Sequence, residues 1–280
     1  MDIAVLGAGA IGSTFAHRLA RSGHDVTVIA RGTRLAQLER DGAIVLASGE
    51  RTPVAVHARL DEAKAYDLVL VTVLATQVDA VLDALTRSAA RAVMFMFNTF
   101  DPIVPLERAV GASRFVFGFP GGVFALLLDG VLDPQIRRGT TVSDPGWARV
   151  FSDAGIPSVV EKDMHGWLRS HAALVAPLMS MSTVAVQRGS ITFAEARRYA
   201  RAMKEGFVLV RRLGHRLLPW SVALVGAFPR EVIASLLWLA SRTKVLHDLG
   251  RLGTTEPRML IDTMSRLAPA ETRALVAIRP

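Results

Sequence analysis

The sequence predicts an α/β fold: an N-terminal, doubly wound and mainly parallel sheet, followed by an all-helical C-terminal domain. Three observations support this prediction. An apolar strand at the start of the chain runs into a glycine-rich turn, and apolar runs typical of buried strands recur as far as Val160. From Asp163 onward, only helical periodicity remains. We therefore expect two domains, residues 1–162 and 163–280.

The first element is a complete strand–helix–strand unit. An apolar strand over Ile3–Leu6 leads into Gly7-Ala8-Gly9-Ala10-Ile11-Gly12, a helical stretch follows, and Asp25–Ile29 is rich in β-branched residues. The pattern Gly-x-Gly-x-x-Gly between a strand and a helix is the dinucleotide-binding fingerprint of a Rossmann-type fold. The alternative is a glycine-rich turn in another α/β fold.

Each glycine of this turn has a separate physical task. Gly7 permits the tight turn, Gly9 lets the backbone approach a pyrophosphate, and Gly12 allows the helix to pack closely on the strand. Ala10 and Ile11 open the helix, where free N–H groups and the positive end of the helix dipole attract phosphate. These five residues are predicted to bind the cofactor.

The end of the second strand selects between nicotinamide cofactors. An NAD enzyme usually carries an acid there to bind the ribose 2′-hydroxyl, but this chain reads Ala30-Arg31-Gly32-Thr33-Arg34. A guanidinium suits a 2′-phosphate through bidentate hydrogen bonds and stacks on adenine. Arg31 and Arg34 therefore indicate NADP(H). The alternative is that both are solvated loop arginines.

Composition limits the possible classes of protein. The 280 residues are 51% hydrophobic, enough for two cores, and there is no cysteine for a disulfide, thiolate metal site or thiol nucleophile. The net charge of +8 is scattered, and aromatic residues make up only 6%, which argues against nucleic acid as a partner. Apolar runs are too short for a membrane span, and the first strand begins at once, so we expect no membrane association and a cytoplasmic protein.

The remaining elements of the first domain are predicted from periodicity. The predicted helices are Leu35–Arg40, Gln77–Leu85 and Trp147–Ala154. The predicted strands are Ala43–Leu46, Val54–His57, Tyr66–Val73, Ala92–Phe97, Phe115–Phe119, Val131–Ile136, Thr140–Val142 and Ser158–Val160. Val54–His57 is a candidate to pair with Ala43–Leu46. In the second domain we predict the helices Met164–Val186, Phe193–Leu213, Ser221–Val225, Arg230–His247, Arg258–Leu267 and Ala270–Ala277.

In open parallel sheets, ligands bind beyond the carboxyl ends of the strands. This rule adds loop residues after two further strands to the predicted cofactor site: Thr72, Val73, Leu74, Gln77, Asn98 and Thr99. A helical domain over this edge would form an interdomain cleft for a small substrate. The seven histidines form no cluster with metal-ligand spacing, so we expect no metal.

The chain resembles the ketopantoate reductases (2-dehydropantoate 2-reductases) over nearly its whole length. The matching segments are Val5–Gly12, Ala30-Arg31-Gly32, Leu70–Val73 with Gln77-Val78, Asn98, Gly166-Trp167, His247-Asp248 and Thr255-Glu256. The resemblance implies NADPH-dependent reduction of a 2-oxo acid between the two domains. It also implies that Arg31 binds the 2′-phosphate, that Asn98 lies by the nicotinamide and that Glu256 lies in the substrate cleft.

The chain departs from the family pattern at several charged and polar positions. The family's first cofactor-site lysine falls at Leu74, its catalytic lysine at Arg169, two asparagines near Ala173 and Pro177, and a serine pair at Thr243-Lys244. Ketone reduction places negative charge on the carbonyl oxygen and needs a proton, and arginine stabilises charge but does not deprotonate.

The predicted catalytic residues are Lys244, Asn98, Glu256, Arg169 and His171. Lys244 is the candidate for a displaced acid or a carboxylate anchor, because it stands where the family has a substrate-facing serine. His171 is the other nearby titratable group suited to neutral pH. Each has a plainer alternative. Lys244 is then an exposed helix lysine, Arg169 an interdomain salt-bridge partner, His171 a core histidine, Glu256 a complement to a helix dipole and Asn98 a turn cap.

The sequence thus predicts an NADP(H)-dependent oxidoreductase that acts on a small 2-oxo acid, either 2-dehydropantoate or a related carbonyl compound. The apolar helices of the second domain lead us to expect a homodimer. The alternative function is a non-catalytic NADP(H)-binding sensor or partner-binding protein on the same fold, because the cofactor motif is intact while the family's catalytic lysine is missing.

Overall fold

The structure, a computed structural model, describes residues 1–280. The strands are β1 (Asp2–Leu6), β2 (Asp25–Ile29), β3 (Ala43–Leu46), β4 (Arg51–Pro53), β5 (Ala55–His57), β6 (Leu68–Val71), β7 (Val93–Met96), β8 (Phe115–Pro120), β9 (Val123–Leu128), β10 (Val131–Ile136), β11 (Thr140–Val142) and β12 (Ser158–Val160). The helices are α1 (Ala10–Arg21), α2 (Gly32–Asp41), α3 (Asp79–Arg87), α4 (Val104–Val110), α5 (Pro145–Asp153), α6 (Met164–Arg188), α7 (Phe193–Arg212), α8 (Trp220–Ala227), α9 (Arg230–Ala240), α10 (Lys244–Gly250), α11 (Thr255–Leu267) and α12 (Arg273–Val276).

The main sheet has eight strands in the order β12-β11-β8-β7-β6-β1-β2-β5. Neighbouring strands are parallel except β8 and β11, which are antiparallel. The strand order reverses between β1 and β6, so the carboxyl ends of these strands form the topological switch point at which such sheets bind ligands. The predicted fold class is confirmed.

A smaller sheet in the order β4-β3-β10-β9 corrects one predicted pairing. We expected Val54–His57 to pair with β3, but β4 does so, and β5 pairs in parallel with β2 at the edge of the main sheet. Pro53 ends β4 and has no N–H for a ladder, which explains why the pairing stops there and the chain crosses to the other sheet. Strand β9 and helix α4 were not predicted.

The helical part also differs from the prediction at one long segment. Instead of one helix over Arg230–His247, the chain forms α9 and then α10, because Thr243 adopts an extended conformation and its side chain accepts a hydrogen bond from Leu246 N. Near the end, a 3₁₀ turn over Pro269–Glu271 precedes the short helix α12, where we expected one helix. Helix-capping chemistry therefore overrode the apolar periodicity.

The chain divides into two compact units, each with its own apolar core. Unit 1 contains residues 1–98 and 103–164, and unit 2 contains residues 99–102 and 165–280. In unit 1, Phe15 of α1 packs edge-to-face on Phe151 of α5, with ring centres 5.1 Å apart. In unit 2, Phe207 of α7 is fully buried in the helical core.

No single helix has both the length and the apolar composition to cross a membrane, and only α8 and α9 taken together, bent by 115°, meet that test.

Candidate functional site

The glycine turn lies between β1 and α1, at the switch point of the main sheet. Gly7 has φ +111° and donates its N–H to Ile29 O over 3.2 Å, while its carbonyl accepts Thr72 Oγ1 over 2.7 Å. A Cβ added to Gly12 would overlap Gly7 O and Thr72 Oγ1. The protein's own packing therefore requires glycine at both positions.

Gly9 is different, because nothing within the protein requires it to be glycine. Its backbone angles (φ −70°, ψ −172°) suit any residue, and an added Cβ would have no heavy atom within 4 Å. Gly9 is the N-cap of α1 without a side-chain cap, and the first helical turn, beginning with Ala10 and Ile11, holds no acid. Open space in front of uncapped N–H groups fits a bound pyrophosphate.

The loop after β6 joins the glycine turn directly. Thr72 N donates to Leu6 O over 2.8 Å, and a Cβ added to Gly7 would lie 2.9 Å from Val73 N. Leu74 is exposed, and its N–H donates to Gln77 Oε1 over 3.2 Å. The structure thus brings Thr72 and Val73 against the turn. Leu74 and Gln77 follow in the chain and are exposed to solvent, joined by their hydrogen bond.

Arg31 and Arg34 occupy very different environments. Arg31 is the exposed N-cap of α2, immediately after the buried Ala30, and its guanidinium makes no hydrogen bond or ion pair. Arg34 is half-buried and donates to Ala8 O (3.1 Å), Gly130 O (3.1 Å) and Ser13 Oγ (3.2 Å). Burial lowers the pKa of Arg34. Arg34 therefore stabilises the glycine turn, whereas the Arg31 side chain is exposed to solvent.

Asn98 and Thr99 follow β7, the parallel neighbour of β6. Both side chains are buried, and Thr99 Oγ1 accepts Asp101 N over 3.0 Å. Since β1, β6 and β7 run in the same direction, Asn98 lies at the same sheet edge as the glycine turn. Thr99 groups with unit 2 rather than with the sheet.

Helix α6 carries two of the predicted catalytic residues. Arg169 is buried, with Nε donating to Phe100 O (3.3 Å) and Nη1 donating to His215 Nε2 (3.0 Å). His171 stacks on Trp167, with ring centres 5.1 Å apart and an angle of 4° between planes. Burial lowers the pKa of His171 to about 4. Our expectation of a pKa suited to proton transfer near neutral pH is therefore wrong, because the surrounding protein disfavours the imidazolium.

Glu256 and Lys244 each lie at the start of a helix in unit 2. Glu256 is partly buried in the first turn of α11, where a carboxylate also complements the helix dipole. Lys244 is the exposed first residue of α10, and its ammonium group makes no hydrogen bond or ion pair. This is the arrangement of a solvated helix lysine, which was the alternative to a displaced acid.

Sequence reasoning missed the residues that bind the side chains of Arg34 and Arg169. Ser13 and Gly130 bind Arg34, and Phe100 and His215 bind Arg169. Gly130 follows Asp129 between two apolar stretches, a pattern that indicates a hairpin turn and could have been found. His215 carries no comparable signal, because its contact depends on how α6 and α7 pack.

No group of three or more histidine, aspartate or glutamate side chains is placed to hold an ion, and the chain has no cysteine. In unit 1 the candidate site residues are the glycine turn and the neighbouring loops at one sheet edge, and in unit 2 they are the polar residues of α6, α10 and α11.

The fold is that of an α/β protein with a Rossmann-type sheet and a helical second unit. Residues 3–127 match the family model described as ketopantoate reductase PanE/ApbA. This match confirms the predicted resemblance to the ketopantoate reductases for the first part of the chain, and solved structures of ketopantoate reductases share the fold of the whole chain.

Solved structures match essentially the whole chain. A PanE/ApbA family ketopantoate reductase from Ralstonia eutropha JMP134 has a TM-score of 0.76 at 22% identity, covering 100% of this chain and 96% of that one. A probable 2-dehydropantoate 2-reductase from Bacillus subtilis has 0.75 at 19% identity, covering 100% and 98%. D-Mandelate dehydrogenase in a ternary structure with NADH and anilino(oxo)acetate has 0.71 at 17% identity, covering 100% and 96%. These matches show that the chain shares the fold of these proteins from end to end.

Proposed function

We propose that the protein is an NADP(H)-dependent oxidoreductase that reduces the carbonyl group of a small 2-oxo acid. The observation that carries the proposal is the open space at Gly9 in front of the uncapped start of α1, at the switch point of the sheet. A dinucleotide pyrophosphate is the ligand that this arrangement suits. When bound, the nicotinamide ring supplies the hydride.

The preference for NADP(H) over NAD(H) rests on the end of β2. No acid follows Ala30, and Arg31 presents an exposed guanidinium that makes no other contact. A planar guanidinium binds a phosphate with two parallel hydrogen bonds, whereas the ribose hydroxyl of NAD offers no charge to it. Arg34 contributes indirectly by holding the turn through Ala8.

The substrate class rests on the family resemblance and on the buried arginine of α6. A 2-oxo acid carries a carboxylate beside its ketone, and anilino(oxo)acetate, found with D-mandelate dehydrogenase, has the same 2-oxo acid group. Arg169 supplies a permanent positive charge that can bind the carboxylate or stabilise the developing alkoxide. Asn98 and Glu256 are proposed to orient the nicotinamide end and the substrate. The predicted placement of the substrate between the two domains stays a prediction.

The proton for the reduction has to come from a titratable group. Arg169 cannot act as an acid, and the low pKa of His171 leaves that side chain neutral at pH 7. Lys244 remains the titratable candidate. Lys244→Ala, compared with the matched exposed Lys162→Ala, decides its role: a selective loss of turnover in Lys244→Ala supports the displaced acid, and equal activities reject it.

The proposal is tested by following NADPH oxidation with a panel of 2-oxo acids that includes 2-dehydropantoate and phenylglyoxylate. We expect saturable NADPH oxidation with at least one member of the panel, and a hydroxy acid as product. NADPH oxidation without a 2-hydroxy acid product, or activity only with carbonyl compounds that lack a carboxylate, would contradict the substrate class.

A second function is favoured by one observation, the arginine at the family's lysine position. A guanidinium does not donate a proton, so the chain could bind NADP(H) without turnover and act as a sensor or partner-binding protein. Tight NADPH binding with no reduction of any 2-oxo acid would support this alternative over the enzyme.

A further inference from the structure

Arg169 is held on two sides by residues that lie outside its own helix. Its Nε donates to Phe100 O over 3.3 Å, its Nη1 donates to His215 Nε2 over 3.0 Å, and its guanidinium lies 5.5 Å from the Phe100 ring centre. A guanidinium is rigid and planar, so hydrogen bonds from two of its nitrogens to acceptors outside the helix set the direction of the whole group.

The position of His215 is set by the end of α7. Gly214 has φ +85° and donates its N–H to Arg211 O over 3.0 Å, and His215 N donates to Val210 O over 3.2 Å. These two bonds form a Schellman motif, which needs a left-handed residue and places the next residue against the helix end. His215 is therefore presented by the backbone itself.

The segment that follows His215 is tied to α6 beside Arg169. Ser170 Oγ accepts a hydrogen bond from Leu218 N over 3.0 Å, while its own hydroxyl donates to Gly166 O within α6 over 2.7 Å. The His215 ring also meets the His165 ring edge-on, with centres 4.8 Å apart. The helix that carries Arg169 and the segment that carries His215 are thus joined next to the pair.

We propose that His215 is a positioning residue for Arg169. Because Arg169 can only donate, His215 must accept at Nε2, so its ring is neutral and carries its proton on Nδ1. The proposal rests on the proposed function, in which Arg169 binds the 2-oxo acid. A planar guanidinium binds a carboxylate with two parallel hydrogen bonds only when its plane is correctly oriented. The contacts of Arg169 with His215 and Phe100 supply that orientation.

The consequence is tested with two substitutions of His215 and one neighbouring control. The Gln side chain in His215→Gln can still accept from Arg169, whereas His215→Leu cannot, and Arg216→Gln removes an exposed charge from the same segment. We expect kcat/KM for the 2-oxo acid to fall by about tenfold or more in His215→Leu, the scale of a lost charge-assisted hydrogen bond. NADPH affinity should be unchanged, and His215→Gln and Arg216→Gln should stay near wild type. Equal loss in the Gln and Leu variants, both folded, would overturn the positioning role.

A spectroscopic measurement tests the contact independently of turnover. Nitrogen-15 chemical shifts of the His215 ring should report the Nδ1–H tautomer in the wild type and loss of that preference in Arg169→Met. An Nε2–H tautomer in the wild type would overturn the inference. If the tautomer is as expected but no 2-oxo acid is reduced, the proposed function fails while the Arg169–His215 contact stands.

Discussion

Two arginines three residues apart show how burial decides what a side chain can do. Arg31 is exposed at the N-cap of α2, whereas Arg34 donates hydrogen bonds to Ala8 O, Gly130 O and Ser13 Oγ. The sequence predicts both as 2′-phosphate ligands because residue type and spacing do not report burial. The sequence shows directly that no acid follows β2, but it does not show that Arg34 is half-buried and Arg31 exposed.

Substituting these arginines separately should therefore give different outcomes. Arg31→Ala should weaken NADPH binding by roughly ten- to a hundredfold, the value of a charge-assisted phosphate contact, with little effect on NADH. Arg34→Ala should weaken the binding of both nucleotides alike and lower the free energy of unfolding, since it removes the hydrogen bonds from Arg34 to Ala8 O, Gly130 O and Ser13 Oγ. Calorimetric titration and denaturant unfolding measure the two effects, with the exposed Arg59→Ala as control. Equal losses of NADPH and NADH binding in Arg31→Ala would reject the 2′-phosphate assignment.

His171 makes stability depend on pH in a predictable direction. Its pKa is about 4 in the folded protein, against about 6.5 in an unfolded chain. The unfolded state therefore takes up the proton first, so the contribution of His171 is complete above about pH 6.5 and is lost as the pH falls toward 4. The loss should be on the order of 3 kcal/mol.

Denaturant unfolding at a series of pH values checks this prediction. His171→Phe keeps a ring against Trp167 but cannot titrate, so the stability of this variant should fall less steeply between pH 7 and pH 4 than that of the wild type. His57→Phe makes the same change at an exposed histidine and should keep the wild-type slope. An unchanged slope in His171→Phe would contradict the assignment.

At the scale of elements, the glycine turn contains two kinds of glycine. The packing of the protein requires Gly7 and Gly12, whereas we propose that Gly9 is needed only to admit the nucleotide. A Cβ at Gly12 overlaps the protein itself, whereas a Cβ at Gly9 enters open space. Gly12→Ala should cost about 1–3 kcal/mol or more in unfolding free energy, as overpacking does. Gly9→Ala should change stability by less than about 1 kcal/mol yet block nucleotide binding.

Unfolding and NADPH titration of these two variants together give the test. A Gly9→Ala protein that binds NADPH as tightly as the wild type would show that no pyrophosphate lies along the turn. The three glycines belong to one sequence motif. Their different structural roles become visible only from the neighbours that an added Cβ would meet, such as Thr72 and Val73.

The elements that the sequence predicts best are those whose signal is local. Strands β1, β2, β3 and β12 follow from short apolar runs between turn residues. Strand β9 was missed although Asp129-Gly130 follows it with φ values of 49° and 87°, the conformation of a two-residue hairpin turn. The pairing of β4 and β5 with different sheets depends on distant partners, and no local pattern contains that information.

On the scale of the whole molecule, helix α9 presents two apolar faces. Ile233, Ala234 and Leu237 are buried in the core of unit 2, whereas Val232, Leu236 and Leu239 are exposed. Trp220 of α8, 77% exposed, is a further exposed apolar side chain of this unit. Exposed apolar patches of this kind mark interaction sites in soluble proteins. The predicted homodimer stays a prediction, and these side chains are where we expect its interface.

Sedimentation at micromolar concentration tests the dimer. We expect a dimer in the wild type and a monomer in Leu236→Asp, because a charge cannot be buried there without a partner. Leu128→Asp places the same charge on the exposed side of β9 and should leave the dimer intact. A monomeric wild type would dispose of the expectation.

The most direct test of the account is a calorimetric titration of the purified protein with NADPH and with NADH. The account predicts that NADPH binds at a single site per chain and more tightly than NADH by about tenfold or more, as expected for an arginine–phosphate contact. Absence of binding by either nucleotide, or tighter binding of NADH, would contradict it.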